Sequence, residues 1–233
     1  DLRLPAQKAR IMRDIGTPEK GTAALEALIA GAESRKHLSS LMLLEYGGHL
    51  LASGNEDGAE AALKRAATLQ DPVKREVDFA LVEMEARRNR VPAAIEALQR
   101  AMGDKPTLSG MLRLADLQVV ARRYDDAAKS AQEARRLAGA SPDAETQRTL
   151  ELLIAGVAAG HADELVAKGQ KEEANAKIAI AMDALGKAAA IAPTDYMAPL
   201  RRVQLMRTWA RATSDAAKTD AAIVEADRLL ARN

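Results

Sequence analysis

His161-Ala162-Asp163-Glu164 brings three potential metal ligands within four residues. A transition ion bound from one helix would need its ligands on a common face, as i, i+3 and i+4 partners, and steps of two and three residues do not supply that face. The same stretch fits an apolar stripe, Leu150, Ile154, Val157, His161 and Leu165, on which His161 is expected as a partly buried polar residue. Asn55-Glu56-Asp57-Gly58 resembles the start of a calcium loop, but no later bidentate Glu follows and the segment runs directly into a helix. It is expected to be a turn with Asn or Asp as the helix cap. The third candidate is Arg201 to Arg211, which puts four arginines and the only Trp on one helix. Arginines there could meet phosphates and Trp209 a lipid interface. That helix needs its apolar stripe for packing, however, and one helix does not make the wide basic footprint of a nucleic-acid binder, so a solvated face is expected. His37 and His49 lie in other segments, and no glycine-rich phosphate loop, nucleophile elbow or His-Glu-x-x-His pattern occurs. These residues predict no enzyme, no metal, no cofactor and no nucleic-acid partner.

The elements that would carry such side chains are helices. Of 233 residues 51 are Ala, only five are aromatic, and none is Cys. Ala and Leu favour helix and leave little of the Val, Ile, Tyr and Phe that a sheet needs, which predicts an all-α chain. Lys plus Arg number 34 against 33 Asp plus Glu, so no net field draws polyanions. The longest apolar run, 152 to 160, is about half of the ~18 residues that span a bilayer, and no membrane insertion is expected. Without Cys there are no disulfides to fix the compartment, and cytoplasmic and periplasmic locations are both compatible. Beginning at Asp1 rather than Met, the chain reads as a processed or excised piece of a larger protein, and its Ala content suggests a bacterial type.

Three segments align as internal repeats: Ser53 to Leu63, Val91 to Leu98 and Arg123 to Ala128. Their matched alanines, Ala59, Ala94 and Ala127, are 35 and then 33 residues apart. Each is followed by Leu63, Leu98 or Ala131 four residues on and by Ala66, Ala101 or Ala134 seven on, one buried stripe at helical spacing. Pro72, Pro106 and Pro142 follow these helices as stops. Upstream of each lies a second periodic stretch: Leu43, Tyr46, Gly47, Leu50; Val77, Ala80, Leu81, Met84; and Met111, Leu114, Ala115, Gln118. The unit is therefore a helical hairpin, with small residues at Gly47 and Ala115 permitting close approach.

Small residues in the first helix, alanines at fixed steps in the second, the turn Arg-Tyr-Asp-Asp-Ala-Ala and a closing proline together resemble the tetratricopeptide repeat, most strongly over 40 to 142. The resemblance implies an all-α, right-handed superhelical solenoid of about five antiparallel helix pairs forming a single domain over 1–233. The repeats are expected at about 5–39, 40–72, 74–106 and 108–142, with an extended hairpin at 143–193 and a terminal hairpin at 195–232. In the first, a helix from Ala6 to Ile15 and a break at Gly16-Thr17-Pro18 precede a helix carrying Ala24, Leu25, Leu28 and Ile29, with Ala24 in step with Ala59. In the extended hairpin two registers compete, one opening at Ala174 after Gly169-Gln170 and one at Ala181, seven residues later. Both its helices are expected to be long and to project beyond the stack. The terminal pair carries Leu200, Val203, Met206 and Ala210, a break near Ser214, and Ile223, Ala226 and Leu230.

The resemblance also implies a non-enzymatic protein-interaction scaffold whose first helices line a concave groove. Carried over by position, the groove residues are Leu44, Glu45 and Gly48 in one repeat and Leu112, Arg113 and Asp116 in another. Between them the position is Asp78 or Phe79, because the turn Arg88-Asn89-Arg90 reads one residue longer. The carboxylate clamp of the family's best-known peptide binders is missing: its places hold Leu44, Gly48, Ala80 and Ser109, and only Arg113 suits it. Leu44 and Leu112 point instead to an apolar partner such as an amphipathic helix, or one of them packs against its own neighbour. The alternatives are a self-associating module that dimerises through the extended hairpin, abolished by shortening 171–177, and a helical ligand-binding or catalytic domain.

Overall fold

The computed structural model describes residues 18–34, 37–69, 73–213, 220–221 and 223–224. All regular structure among them is helical: α1 (Pro18–Ser34), α2 (Ser40–Ala52), α3 (Glu56–Thr68), α4 (Lys74–Arg87), α5 (Val91–Met102), α6 (Leu108–Val120), α7 (Tyr124–Ala138), α8 (Ala144–Ala167), α9 (Lys171–Ile191) and α10 (Met197–Thr213). None of them is long and apolar enough to cross a membrane. The helix expected at Ala6 to Ile15, the stop at Pro72, and Ala226 and Leu230 of the last helix lie outside the described residues.

The helices group into two compact units, Asp1–Asp104 and Lys105–Asn233. In the first, α2 and α3 form one hairpin and α4 and α5 another; α1 packs on α2, and α4 packs on both α2 and α3. In the second, α6 pairs with α7 and α8 with α9; α8 packs on α6 and α7, and α10 on α8 and α9.

The alanine stripe is the core of every hairpin. Ala59, Ala94 and Ala127 are each 0% exposed, and the Leu or Ala four residues on and the Ala seven on are all buried. Opposite them the first helix must be thin: a Cβ on Gly47 would sit 3.2 Å from Leu63 Cδ2. In α1 the buried stripe is Gly21, Leu25, Ile29 and Ala32, while Ala24 is exposed. The expected alignment of Ala24 with Ala59 is therefore displaced by one residue, because packing selects the face that meets α2.

Each hairpin turns through the same geometry. Gly54, Asn89, Arg122 and Gly169 adopt positive φ of 79°, 56°, 57° and 76°. The next residue's N–H bonds back five residues in every case, to Leu50, Glu85, Gln118 and Leu165 carbonyls. This left-handed cap satisfies the last free carbonyls of the first helix. The second helix starts two residues after the left-handed residue in all four. The turn at Arg88-Asn89-Arg90 is thus no longer than the others; Asn89 and Arg122 hide the signal because they occupy a conformation that sequence reading assigns to glycine.

The hairpin of α8 and α9 is 24 plus 21 residues, against 12 to 15 in the helices of the three before it. Its two competing registers are both occupied: Ala174, Ile178, Ala181, Leu185 and Ala188 are all buried. Seven residues fall only about 20° short of two full turns, so a heptad added to a helix leaves its stripe nearly in line. The packing shows where the addition lies. In the first unit Arg88, just before the left-handed residue, meets Asp57 at the start of α3, Nη2 to Oδ1 2.7 Å. In the second unit the start of α7 meets His161, seven residues earlier than the corresponding Lys168, with the Tyr124 and His161 rings stacked 5.5 Å apart. The extra turns are therefore 162–168 of α8 and 171–177 of α9. They pass the N-terminus of α7, and α10 covers them on another side, where Trp209 Nε1 donates to Asn175 Oδ1 at 2.7 Å.

Candidate functional site

The three candidate chemistries of the sequence resolve into packing and caps. Asn55 Oδ1 accepts the Gly58 N–H at 2.9 Å and caps α3. His161 is half-buried and stacked on Tyr124, with Nδ1 3.9 Å from Asp125 Oδ1. Among the described residues no group of three or more His, Cys, Asp or Glu side chains is placed to hold a metal ion. Trp209 packs, partly buried, against the α8–α9–α10 core. Arg201 and Arg207 are exposed, Arg202 less so.

The hollows lie along the first helices of the hairpins. In the first unit one of about 380 Å³ is lined by Leu44, Gly48 and Leu51 of α2 and by Ala80, Glu83 and Arg87 of α4. Of the residues the sequence put forward, Leu44 and Gly48 thus line it, while Glu45 and Phe79 are half-buried nearby on the same helices. With the turns in register, Phe79 is the counterpart of Leu44 and Leu112, each ten residues before its left-handed residue. The guanidinium of Arg75 lies 5.8 Å from the Phe79 ring centre. Asp78 is the buried neighbour and faces the other way, 3% exposed and paired with Arg100 of α5 at 3.5 Å.

In the second unit two hollows share Gly156 and Arg201 and so form one groove. The first, about 250 Å³, takes in Leu112, Asp116 and Val119 of α6 with Leu152 of α8. The second, about 270 Å³, is walled by Ala159 and Asp163 of α8 and by Gln204 and Thr208 of α10. Leu112 both lines the groove and packs, partly buried, on the core of Ala115, Ala127 and Ala131. Arg113 is half-buried beside Asp116. Burial holds the Asp116 carboxyl above the usual carboxylate range against the opposing charges of Arg113 and Arg201. Asp163 is raised by burial alone.

Gly156, Asp163 and Arg201 were not legible as groove residues. Asp163 and Arg201 looked like a broken metal motif and a solvated charge. Their convergence depends on how α10 crosses α8, which no local pattern encodes.

The first unit also contains a charge cluster at its turns. Glu60, 8% exposed on α3, receives Arg88 at 2.7 Å, Arg90 at 2.8 Å and Lys64 at 2.5 Å. Hydrogen bonds from Lys64 and Arg90 hold its carboxyl down to about 2. Tyr46 Oη donates to Glu26 Oε1 at 2.8 Å and ties α2 to α1; burial first, and then this bond, push the phenol up to about 12.

No sequence-family model matches the chain, and a search of curated proteins finds no relative. Solved structures do resemble it. The C-terminal part of a TPR repeat-containing protein from Cytophaga hutchinsonii superposes with TM-score 0.72 at 15% identity, covering 100% of this chain and 85% of the other. A putative kinesin light chain of nearly identical TPR-like repeats from Podosopora anserina gives 0.55 at 18% identity, over 82% and 94% of the two chains. MamA gives 0.54 at 18%, over 81% and 93%. At these identities the likeness concerns the fold, and the fold is tetratricopeptide-like.

Proposed function

From a tetratricopeptide-like fold we infer that the chain is a non-enzymatic protein-interaction scaffold that holds a segment of a partner protein against its first helices. The supporting observation is the position of the hollows: in both units they open between first helices, where Leu44, Gly48, Leu112 and Asp116 stand. Such surfaces combine apolar area with a few polar groups, the mixture that takes up an amphipathic segment. The alanine stripes of the second helices are consumed in the core.

A photo-crosslinking amino acid placed at Gly48 or Asp116 should capture the partner in cells, and one at exposed Gln99 of α5 or Lys129 of α7 should not. Equal capture from all four positions, or capture only from the second helices, would overturn the groove reading.

A second reading, self-association through the long hairpin, is favoured by the two extra turns that pass the N-terminus of α7. Removing 162–168 together with 171–177 keeps the turn and sets His161 where Arg88 stands in the first unit. The shortened chain should stay helical, and its Trp209 emission should shift to the red as Asn175 is lost. If the tip mediates a dimer, light scattering should show a doubled mass that halves on shortening; a shortened chain that still dimerises removes this reading.

A further inference from the structure

We propose that Arg148 of α8 and Asn175 of α9, which stand outside the groove of the second unit, are positioning residues for it: they clasp the two ends of α10 and so fix the wall against which a partner segment is held. The inference rests on the groove reading above and assigns a use to the heptads added to α8 and α9.

One side of the groove belongs to α10. Arg201, Gln204, Leu205 and Thr208 border the second hollow, and Arg201 borders the first as well. The opening between α8 and α10 therefore depends on where α10 lies. Apolar contact fixes that place only loosely. The core beneath α10 holds ten buried residues, of which α10 supplies two, Ala198 and Leu205, while Trp209 packs against it, partly buried. Contact between small alkyl groups is non-directional, so a helix seated on alanines can slide or roll at little cost. Hydrogen bonds to fixed partners are directional and select one seat.

α10 has such a bond at each end. At its start the Asp195 carboxylate accepts the Met197 N–H at 2.9 Å and also receives Arg148 Nη2, so a single side chain caps α10 and ties it to α8. Near its end Trp209 Nε1 donates to Asn175 Oδ1 at 2.7 Å. Asn175 lies in the turns added to α9, and Ala162, a member of the core on which Trp209 packs, lies in those added to α8. α10 is longer in step with this seat: 17 residues, against 13, 14 and 13 in α2, α4 and α6. Neither Arg148 nor Asn175 borders either hollow, so an effect of theirs on binding passes through α10.

The chain has no Cys, so Ala167→Cys on α8 and Arg207→Cys on α10, both at exposed positions, carry the only two spin labels. Pulsed electron paramagnetic resonance should give one narrow distance between them. Arg148→Gln, and separately Asn175→Leu, should shift or broaden it while helicity is kept. Arg148→Lys and Asn175→Asp, which retain the cation and the acceptor, should restore it. Binding is read with peptides selected by display on the purified chain. Gly156→Phe identifies those that use the groove, since Gly156 lies where the two hollows meet and a Cβ there would touch nothing within 4 Å. In anisotropy titrations Arg148→Gln and Asn175→Leu should each weaken these peptides roughly fivefold, the loss of about one well-placed hydrogen bond. Arg148→Lys and Asn175→Asp should bind them as the wild type does. A residue that acts on stability alone would lower the melting temperature and leave both the distance and the affinity of the folded chain unchanged. Distances that stay put in both Arg148→Gln and Asn175→Leu, or that move with no loss of affinity, overturn the proposal and leave the groove reading standing. Should one of these two variants fail to fold, the other decides. Peptides indifferent to Gly156→Phe, or no binders at all, overturn the groove reading and the proposal with it.

Discussion

Gly160→Ala should destabilise the second unit by about 1–2 kcal/mol, the cost of overpacking less the helix propensity gained by losing a glycine. A Cβ at position 160 would lie 2.6 Å from Tyr124 Cε1, closer than packed carbons allow. The ring would have to leave its place against α8 and with it the stack on His161. Gly156→Ala, one turn earlier in the same helix, meets open space and should instead stabilise by up to about 1 kcal/mol. Urea unfolding of the two variants measures the contrast. A double-mutant cycle locates its cause: in a Tyr124→Ala background Gly160→Ala should become neutral or stabilising. If the cost persists without the tyrosine ring, the close approach of α7 and α8 at this point is not what requires the glycine.

Glu60→Gln should cost about 1.5–3 kcal/mol at pH 7, the range for hydrogen bonds to charged groups, because it removes the carboxylate shared by Arg88, Arg90 and Lys64. The loss should depend on pH in a defined direction. The folded carboxyl sits at about 2 against an ordinary value of 4.5, so the folded state is favoured by the ionised form. That contribution is complete above about pH 4.5 and is lost as the pH falls through about 2. The difference in stability between wild type and Glu60→Gln should hold steady from pH 7 to 5 and close as acid is added. A gap that stays constant down to pH 2 would show that Glu60 acts through its packing rather than its charge.

The repeats were readable because their determinants are local and periodic. Ala59, Ala94 and Ala127 each recur with partners four and seven residues on, and a stripe so spaced defines a helix face before any neighbour is known. The hairpin followed from two such stripes joined by a short turn. Where two alternatives fit one stripe, the sequence stopped short. Ala174 and Ala181 both open acceptable registers because a heptad nearly preserves the face; Tyr124 against His161 shows where the heptad is added, since it records where α7 begins beside α8. The turn at Asn89 is one residue shorter than its sequence suggests for a related reason: the left-handed cap tolerates Asn and Arg when surrounding hydrogen bonds hold it, and neither residue announces it.

The candidate site was less legible than the fold. Leu44, Gly48, Leu112 and Asp116 could be placed by repeat position and do line the hollows. Asp163 and Arg201 could not, because solvent-facing charges follow no period and meet only through the crossing of α10 over α8. By itself, the sequence determined the helices, their pairing into hairpins and the alanine-lined interior, all products of apolar spacing and chain connectivity acting over about 35 residues. Tertiary structure alone decided the seven-residue offset of the long hairpin, the gathering of arginines and lysine on Glu60, and which carboxylates line a groove. Those depend on how separate helices are seated on one another, where a shift of two turns leaves every local pattern intact and changes every contact.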